Sequence, residues 1–306
     1  MNSAGIIAVF LAALIIPGII LRTKSIASGR KGPGMFQPYK DISVLLKKGS
    51  VFSTTSGSIF QIAPAINLAT VLCAALFIPF GKYGALISFE GDFIFFSYLI
   101  ALGRFFSIIA ALDTGSSFEG MGANREAFFS MLLEPAFFIL MASFAMATGF
   151  TSFTDIFSNF YLSENNFMLI FGLLGIFVFL QTAMVETCRL PVDDPKTHLE
   201  LTMIHEVMIL DNSGFDKALI HLGTYIKFAL YGLLIFNLTI PPAWTFPVQL
   251  VSFVAIQVLL ALAVGLIESF RARNKMNKNP KYILTISGVA WIAFIVILLL
   301  GERFLN

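Results

Sequence analysis

Residues 186–214, ETCRLPVDDPKTHLELTMIHEVMILDNSG, form a dense polar segment between two apolar runs, each long enough to cross a bilayer. The segment carries Glu186, Asp193, Asp194, Glu200, Glu206 and Asp211 together with Arg189, Lys196, His198 and His205. Pro191 and Pro195 bar a continuous helix through its first half, because proline lacks a backbone N–H and clashes with the preceding turn. From His198 onward the spacing predicts a helix with a polar face, closed by Asn212-Ser213-Gly214. A connection this rich in charge reads as a folded surface for docking or proton handling.

Outward from this segment the chain is apolar almost throughout. Of 306 residues, 57% are hydrophobic, 12% are charged and 34 are Phe. A soluble core of this length could not hide so much apolar surface, so the fold class is all-α, a polytopic membrane helix bundle. Spanning takes about 20 apolar residues. Runs at 4–21, 59–80, 92–112, 126–150, 166–186, 216–240, 248–269 and 282–300 give eight such helices, organised as one integral membrane domain over 1–306. The first run lacks a basic leader and an Ala-x-Ala cleavage site, so it reads as a retained span, kinked near Pro17-Gly18. Cys73 and Cys188 are too few for an iron–sulfur cluster or a zinc ribbon, which places any redox centre on another chain.

Loops 22–58, 113–125, 187–217 and 271–281 hold sixteen of the 20 Lys and Arg, whereas the opposite loops and termini hold only Lys82 and Arg303. Positive charge marks the cytoplasmic side, so both termini are expected outside a multi-pass protein of the cytoplasmic (inner) membrane. In the first cytoplasmic loop Gly32-Pro33-Gly34 signals a turn. From Tyr39, Ile42, Val44, Leu45 and Leu46 then share a strip with Lys40, Lys47 and Lys48, as in a short helix lying at the membrane surface. Such a helix is either a basic lipid anchor or one wall of a pocket entered from the bilayer plane.

Ionisable groups inside a membrane are costly unless paired or hydrated. Arg104, before the inner end of the third span, and Glu134, after the start of the fourth, each lie about 12 Å deep at 1.5 Å per residue. The short link between these spans makes them antiparallel neighbours whose charges can pair, as a static ion pair or as a proton relay. Pro135 frees a carbonyl one turn back and favours local water. Glu186 closes the fifth span, His221 and Lys227 lie in the sixth, and Glu268 ends the seventh beside Arg271, where a satisfied surface pair suffices. Together these groups describe a hydrated funnel open to the inside, whose protons leave sideways into another membrane subunit. Glu186 and Arg189, three apart at a helix end, are expected to pair. His205-Glu206 begins like His-Glu-x-x-His, but Ile209 replaces the second His, so that metal motif fails. Cys188 has no His and Asn partner by spacing, which leaves nucleophilic catalysis unsupported.

The 186–214 segment resembles that of the respiratory complex I subunit 1 family, in which Glu-Thr-x-Arg-x-Pro-x-Asp precedes an acidic helix. Residues 112–136, LDTGSSFEGMGANREAFFSMLLEPA, and 32–49, GPGMFQPYKDISVLLKKG, resemble that family's next loop and its entrance helix. The Pro-Val-Asp-Asp-Pro and Met-Ile-Leu-Asp-x-Ser-Gly wording looks like the hydrogenase branch, the membrane anchors of formate hydrogenlyase, hydrogenase-4 and related energy-converting [NiFe]-hydrogenases. Sulfur-reducing relatives share much of it. The resemblance implies a non-catalytic coupling subunit that docks a [NiFe] large subunit and a small iron–sulfur subunit onto antiporter-like membrane subunits, moving protons or sodium. It assigns Glu134, Glu186, Glu200 and Glu206 to the lateral proton path, joined by Arg104, Lys227 and His221 on depth. Arg125, Arg189, Asp193, Asp194 and Asp211 would face the peripheral arm, and Gln37, Lys40 and Asp41 would belong to the entrance helix. No cofactor is expected on this chain, the [NiFe] centre and [4Fe–4S] clusters belonging to partners. In the quinone-reducing relatives that helix borders a quinone chamber, for which a narrowed or lipid-filled counterpart is expected here. The alternative is a quinone-site subunit of an NADH- or ferredoxin-linked oxidoreductase.

Overall fold

A computed structural model describes residues 3–54, 56–161, 166–194 and 203–304. The described chain is helical: α1 (Ser3–Ala27), α2 (Gln37–Leu46), α3 (Ser58–Ala74), α4 (Asp92–Asp113), α5 (Ser117–Thr148), α6 (Phe153–Asn159), α7 (Asn166–Glu186), α8 (His205–Met208), α9 (Gly214–Thr239), α10 (Phe246–Phe270) and α11 (Asn279–Phe304). Seven of these are long and apolar enough to cross a membrane, and α3 is a shorter apolar helix. The protein is thus a polytopic membrane helix bundle, with α2 the amphipathic helix expected in the first loop.

Three boundaries depart from the sequence reading, each for a local reason. α3 stops at Ala74 although the apolar run continues to 80; Pro79 and Gly81, the latter at φ 54°, turn the chain back instead. α5 begins at Ser117 and runs 32 residues, because its polar first turns stay helical beyond the apolar part and Pro135 is accommodated within it. Of the helix expected from His198, the described part is only α8, while residues 195–202 lie outside the described residues.

The packing is centred on α9, which contacts α1, α3, α7 and α10 and is buried along most of its length. α11 lies along α5, α4 along α3 and α10 along α1, with Val251, Leu259, Trp291 and Leu299 turned outward. Lipid tails are as apolar as these side chains, so association rests on close approach and polar contacts. A Cβ at Gly103 would lie 2.3 Å from Thr70 Oγ1, which lets α4 approach α3, and Asn67 Nδ2 donates to Ser107 Oγ across that seam at 2.8 Å. At Gly18 a Cβ would meet the Met35 carbonyl oxygen at 1.6 Å, so only glycine lets the segment leading into α2 rest on α1.

The end opposite the polar loops is closed by aromatic rings. Phe80, on the segment that folds back after α3, lies 5.3 Å from both Phe236 and Phe253. Asn237 of α9 fixes that segment, accepting from the Gly81 N–H at 3.0 Å and donating to the Pro79 carbonyl at 2.7 Å. Phe144 with Phe160 and Phe171, at 5.0 and 5.2 Å, continues the layer. Asp92 binds α6 to it, accepting from the Phe153 N–H at 2.7 Å and the Ser152 hydroxyl at 3.0 Å.

Candidate functional site: a buried ionic group and the cavity beside it

Five charged side chains from four helices meet inside the bundle. Arg104 of α4 is bonded to Glu186 at the end of α7, and it lies 3.6 Å from Glu126 and 3.7 Å from Glu134, both on α5. Lys227 of α9 reaches the other oxygen of Glu186 at 3.3 Å. Glu126 and Glu134 stand little more than two turns apart and so share one face of α5. Side-chain exposure grades across the group: 5% at Glu186, 17% at Glu126 and 42% at Glu134. Three carboxylates around two cations leave one carboxylate in excess. That group can take up and release a proton without stranding a cation.

A cavity of about 260 Å³ lies beside it. α1 gives Pro17 and Leu21, α2 gives Asp41, Ile42 and Leu45, and α9 gives Lys217, His221, Thr224 and Tyr225. Thr187, Cys188, Arg189, His205 and Glu206 complete the wall. His205 and Thr224 also line a smaller void that reaches Arg104, Glu126, Glu186 and Lys227, so the cavity and the ionic group share a wall.

Several sequence expectations land elsewhere. Glu186 takes Arg104 and Lys227 rather than Arg189, because α7 ends at Glu186 and the backbone turns left-handed at Cys188, φ 56°. Arg189 instead reaches Glu268 at 3.3 Å, and Lys24 meets Glu268 at 3.5 Å and Asp194 at 4.0 Å. Glu268 is therefore buried and shared, while Arg271 lies over the Tyr282 ring at 5.1 Å. Arg189 and Asp193 are buried rather than surface groups. Asp211 is exposed and Asp194 and Arg125 half-buried, Arg125 donating to the Met203 carbonyl at 2.9 Å. Glu206 meets Lys217 at 3.7 Å at the cavity, where His221 also sits. Of the entrance-helix residues Asp41 lines the cavity, Gln37 donates to Asp41 at 2.7 Å, and Lys40 is exposed. Glu200 lies outside the described residues. Glu126 was missed; its place on the Glu134 face was the available signal.

Asp193 fastens the polar loops. It accepts from Arg273 at 2.7 Å and from the backbone N–H of His205 and Asp194, each at 2.9 Å. Burial pushes its carboxyl upward against these contacts, and burial among nearby acids raises the Cys188 thiol well above its ordinary range, leaving it inert. His205 is pushed down to about 3 by burial, with His221, Lys227 and Lys217 adding to the effect. Opening the loop would return His205 to its ordinary 6.5, so its contribution is complete above that pH and is lost as pH falls toward 3. Once the slower intrinsic exchange at acid pH is corrected for, hydrogen-exchange protection over 203–213 is expected to fall on acidification from about pH 7.5 to about 5.5. His205→Asn should flatten the response; equal pH dependence in both proteins would exclude His205 as its source.

The family described as NADH dehydrogenase matches residues 2–299. Formate hydrogenlyase subunit 4 of Escherichia coli (strain K12) is 28% identical over 304 residues, covering 94% of this chain and 95% of its own. An NADH-quinone oxidoreductase subunit of Bordetella petrii is 25% identical over 226 residues, covering 71% and 62%. Among solved structures, a chain of the membrane-bound sulfane sulfur reductase, an archaeal respiratory membrane complex, superposes with a TM-score of 0.77 at 19% identity, over 95% of this chain and 96% of that one. That last likeness concerns the fold.

Proposed function

The chain belongs to the NADH dehydrogenase family, and on that premise we propose that it is the membrane subunit of a complex I-like hydrogenase assembly, carrying no redox centre itself and passing protons sideways to neighbouring antiporter-like subunits. The hydrogenase side is supported by the near full-length match to a formate hydrogenlyase subunit, against a shorter one to a quinone-reducing subunit. A peripheral arm with a [NiFe] centre and iron–sulfur clusters would dock on the polar loops, where Asp211, Asp194 and Arg125 reach the surface. These loops then face the cytoplasm.

The observation that carries the proton reading is the lateral end of the ionic group. Glu134 lies within a helix long and apolar enough to span, yet its side chain is 42% exposed. A carboxylate facing lipid there would cost several kcal/mol, so the site calls for a protein neighbour that accepts its proton. At the other end the group shares a wall with the cavity under the polar loops, while aromatic rings close the far side. Protons gathered from the loop side thus have one open direction.

A cavity of about 260 Å³ is small against the roughly 300–1,000 Å³ of pockets for drug-sized ligands. This supports a lipid-filled or narrowed chamber over a quinone site. The test is Glu134→Gln in vesicles bearing the intact complex. The complex is expected to assemble, with the rate of proton movement falling about a hundredfold or more, the range of a lost acid–base group, and protons moved per electron falling with it. Unchanged coupling would return Glu134 to a static ion pair.

A further inference from the structure

Between the Arg104–Glu186 pair and Glu134 lies a pocket with room of about 20 Å³ for the centre of a water molecule; roughly 10–15 Å³ holds one water. Its polar lining is Ser97 and Arg104 from α4, Glu134 from α5, Thr182 and Glu186 from α7, and Tyr231 from α9. Two of these groups are unsatisfied in a telling way. Thr182 is 2% exposed and its hydroxyl has no hydrogen-bond partner among the described residues. Other helix hydroxyls nearby fold back on their own backbone, Thr187 on the Ala183 carbonyl at 2.7 Å and Ser130 on Glu126 at 2.7 Å. Thr182 does not, and it lines the pocket instead. Arg104 Nη1 is buried without a hydrogen bond, and the Glu134 oxygen lies 3.7 Å away, beyond direct reach. Two unpaired buried donors with an acceptor just out of range describe a site for a bridging water. Tyr231 is buried and lines the same pocket as Thr182.

We propose that this pocket binds a single water, held by Thr182 Oγ1, Arg104 Nη1 and the Tyr231 hydroxyl, and that the water relays the proton between Glu186 and Glu134. The proposal rests on the proton-passing reading above. In each transfer the Thr182 hydroxyl turns to accept from the water, freeing a lone pair on the water oxygen to take a proton from one carboxyl while another of its protons passes to the opposite carboxylate, so no water is consumed. Thr182 and Tyr231 are positioning residues, acting through the water.

The test uses the intact complex in vesicles. Thr182→Val, which keeps the shape and removes the hydroxyl, is expected to lower protons moved per electron about fivefold or more. Thr182→Ser should restore most of that loss, a recovery that mere packing would not give. A high-resolution map of the wild-type complex should show a density peak within hydrogen-bond distance of both Thr182 Oγ1 and Arg104 Nη1, absent in Thr182→Val. Normal coupling in Thr182→Val, or a dry pocket in the wild type, overturns the proposal. Should Thr182→Val fail to assemble, the wild-type map and a coupling loss in Tyr231→Phe decide it. Impaired Glu134→Gln beside normal Thr182→Val removes only the water link; normal coupling in Glu134→Gln removes the proton reading itself.

Discussion

Glu186→Gln is expected to cost both assembly and coupling. Its carboxylate is held by Arg104 and, at 3.3 Å, by Lys227, and it is 5% exposed. Arg104 keeps Glu126 and Glu134, but Glu186 is the one ion-pair partner of Lys227 among the described residues, so the change strands that buried ammonium and destabilises by roughly 3–5 kcal/mol. Thermal unfolding of the solubilised complex should therefore fall clearly below wild type, with reduced yield. Removing a cation as well, in Glu186→Gln with Lys227→Gln, replaces the pair by two neutral amides and should recover most of the stability. Coupling should stay lost, since an amide cannot take the proton. If Lys227→Gln gives no recovery, the ionic partnership is not what holds Glu186; if coupling returns with stability, Glu186 is structural.

The second large effect belongs to Asp193→Ala. Its carboxylate is 2% exposed and joins three pieces of chain: its own turn, the start of α8 through His205, and the loop before α11 through Arg273 at 2.7 Å. Breaking this buried, charge-assisted contact should cost roughly 3–5 kcal/mol. The cost falls on the surface proposed to seat the peripheral arm. The arm is expected to wash off at moderate salt, with hydrogen exchange over 188–194 and 203–213 rising together. Asp193→Asn keeps an acceptor and loses the charge, so it should fall between wild type and Ala. An arm that stays bound with unchanged exchange would mean the clamp does not support docking.

What the sequence made legible was whatever depends on composition or on local spacing. The spans stand out as apolar runs, and Arg104 and Glu134 could be matched because equal depth on neighbouring antiparallel helices is a one-dimensional quantity. α3 was overextended because hydropathy does not register the turn at Pro79 and Gly81. The pairings of Glu186 and Glu268 were misread because each had a charged neighbour three residues away. In both cases the helix ends before that neighbour, so the shared-face rule no longer applies. Arg189 and Glu268 are 79 residues apart, and no local pattern announces such a contact. Glu126 stands at the first position of the span 126–150, where a charge at a helix start draws no notice.

The aromatic layer around Phe80, Phe236 and Phe253 also has an electrical meaning. A membrane potential falls across the poorly conducting part of its path, and a full crossing is worth about 2.3 kcal/mol per elementary charge at 100 mV. With insulation at one end and polar voids at the other, most of that voltage drop lies beyond the carboxylates. On the proposed proton reading they would change charge almost free of the field, and the step that works against voltage would fall to the proposed neighbouring chains.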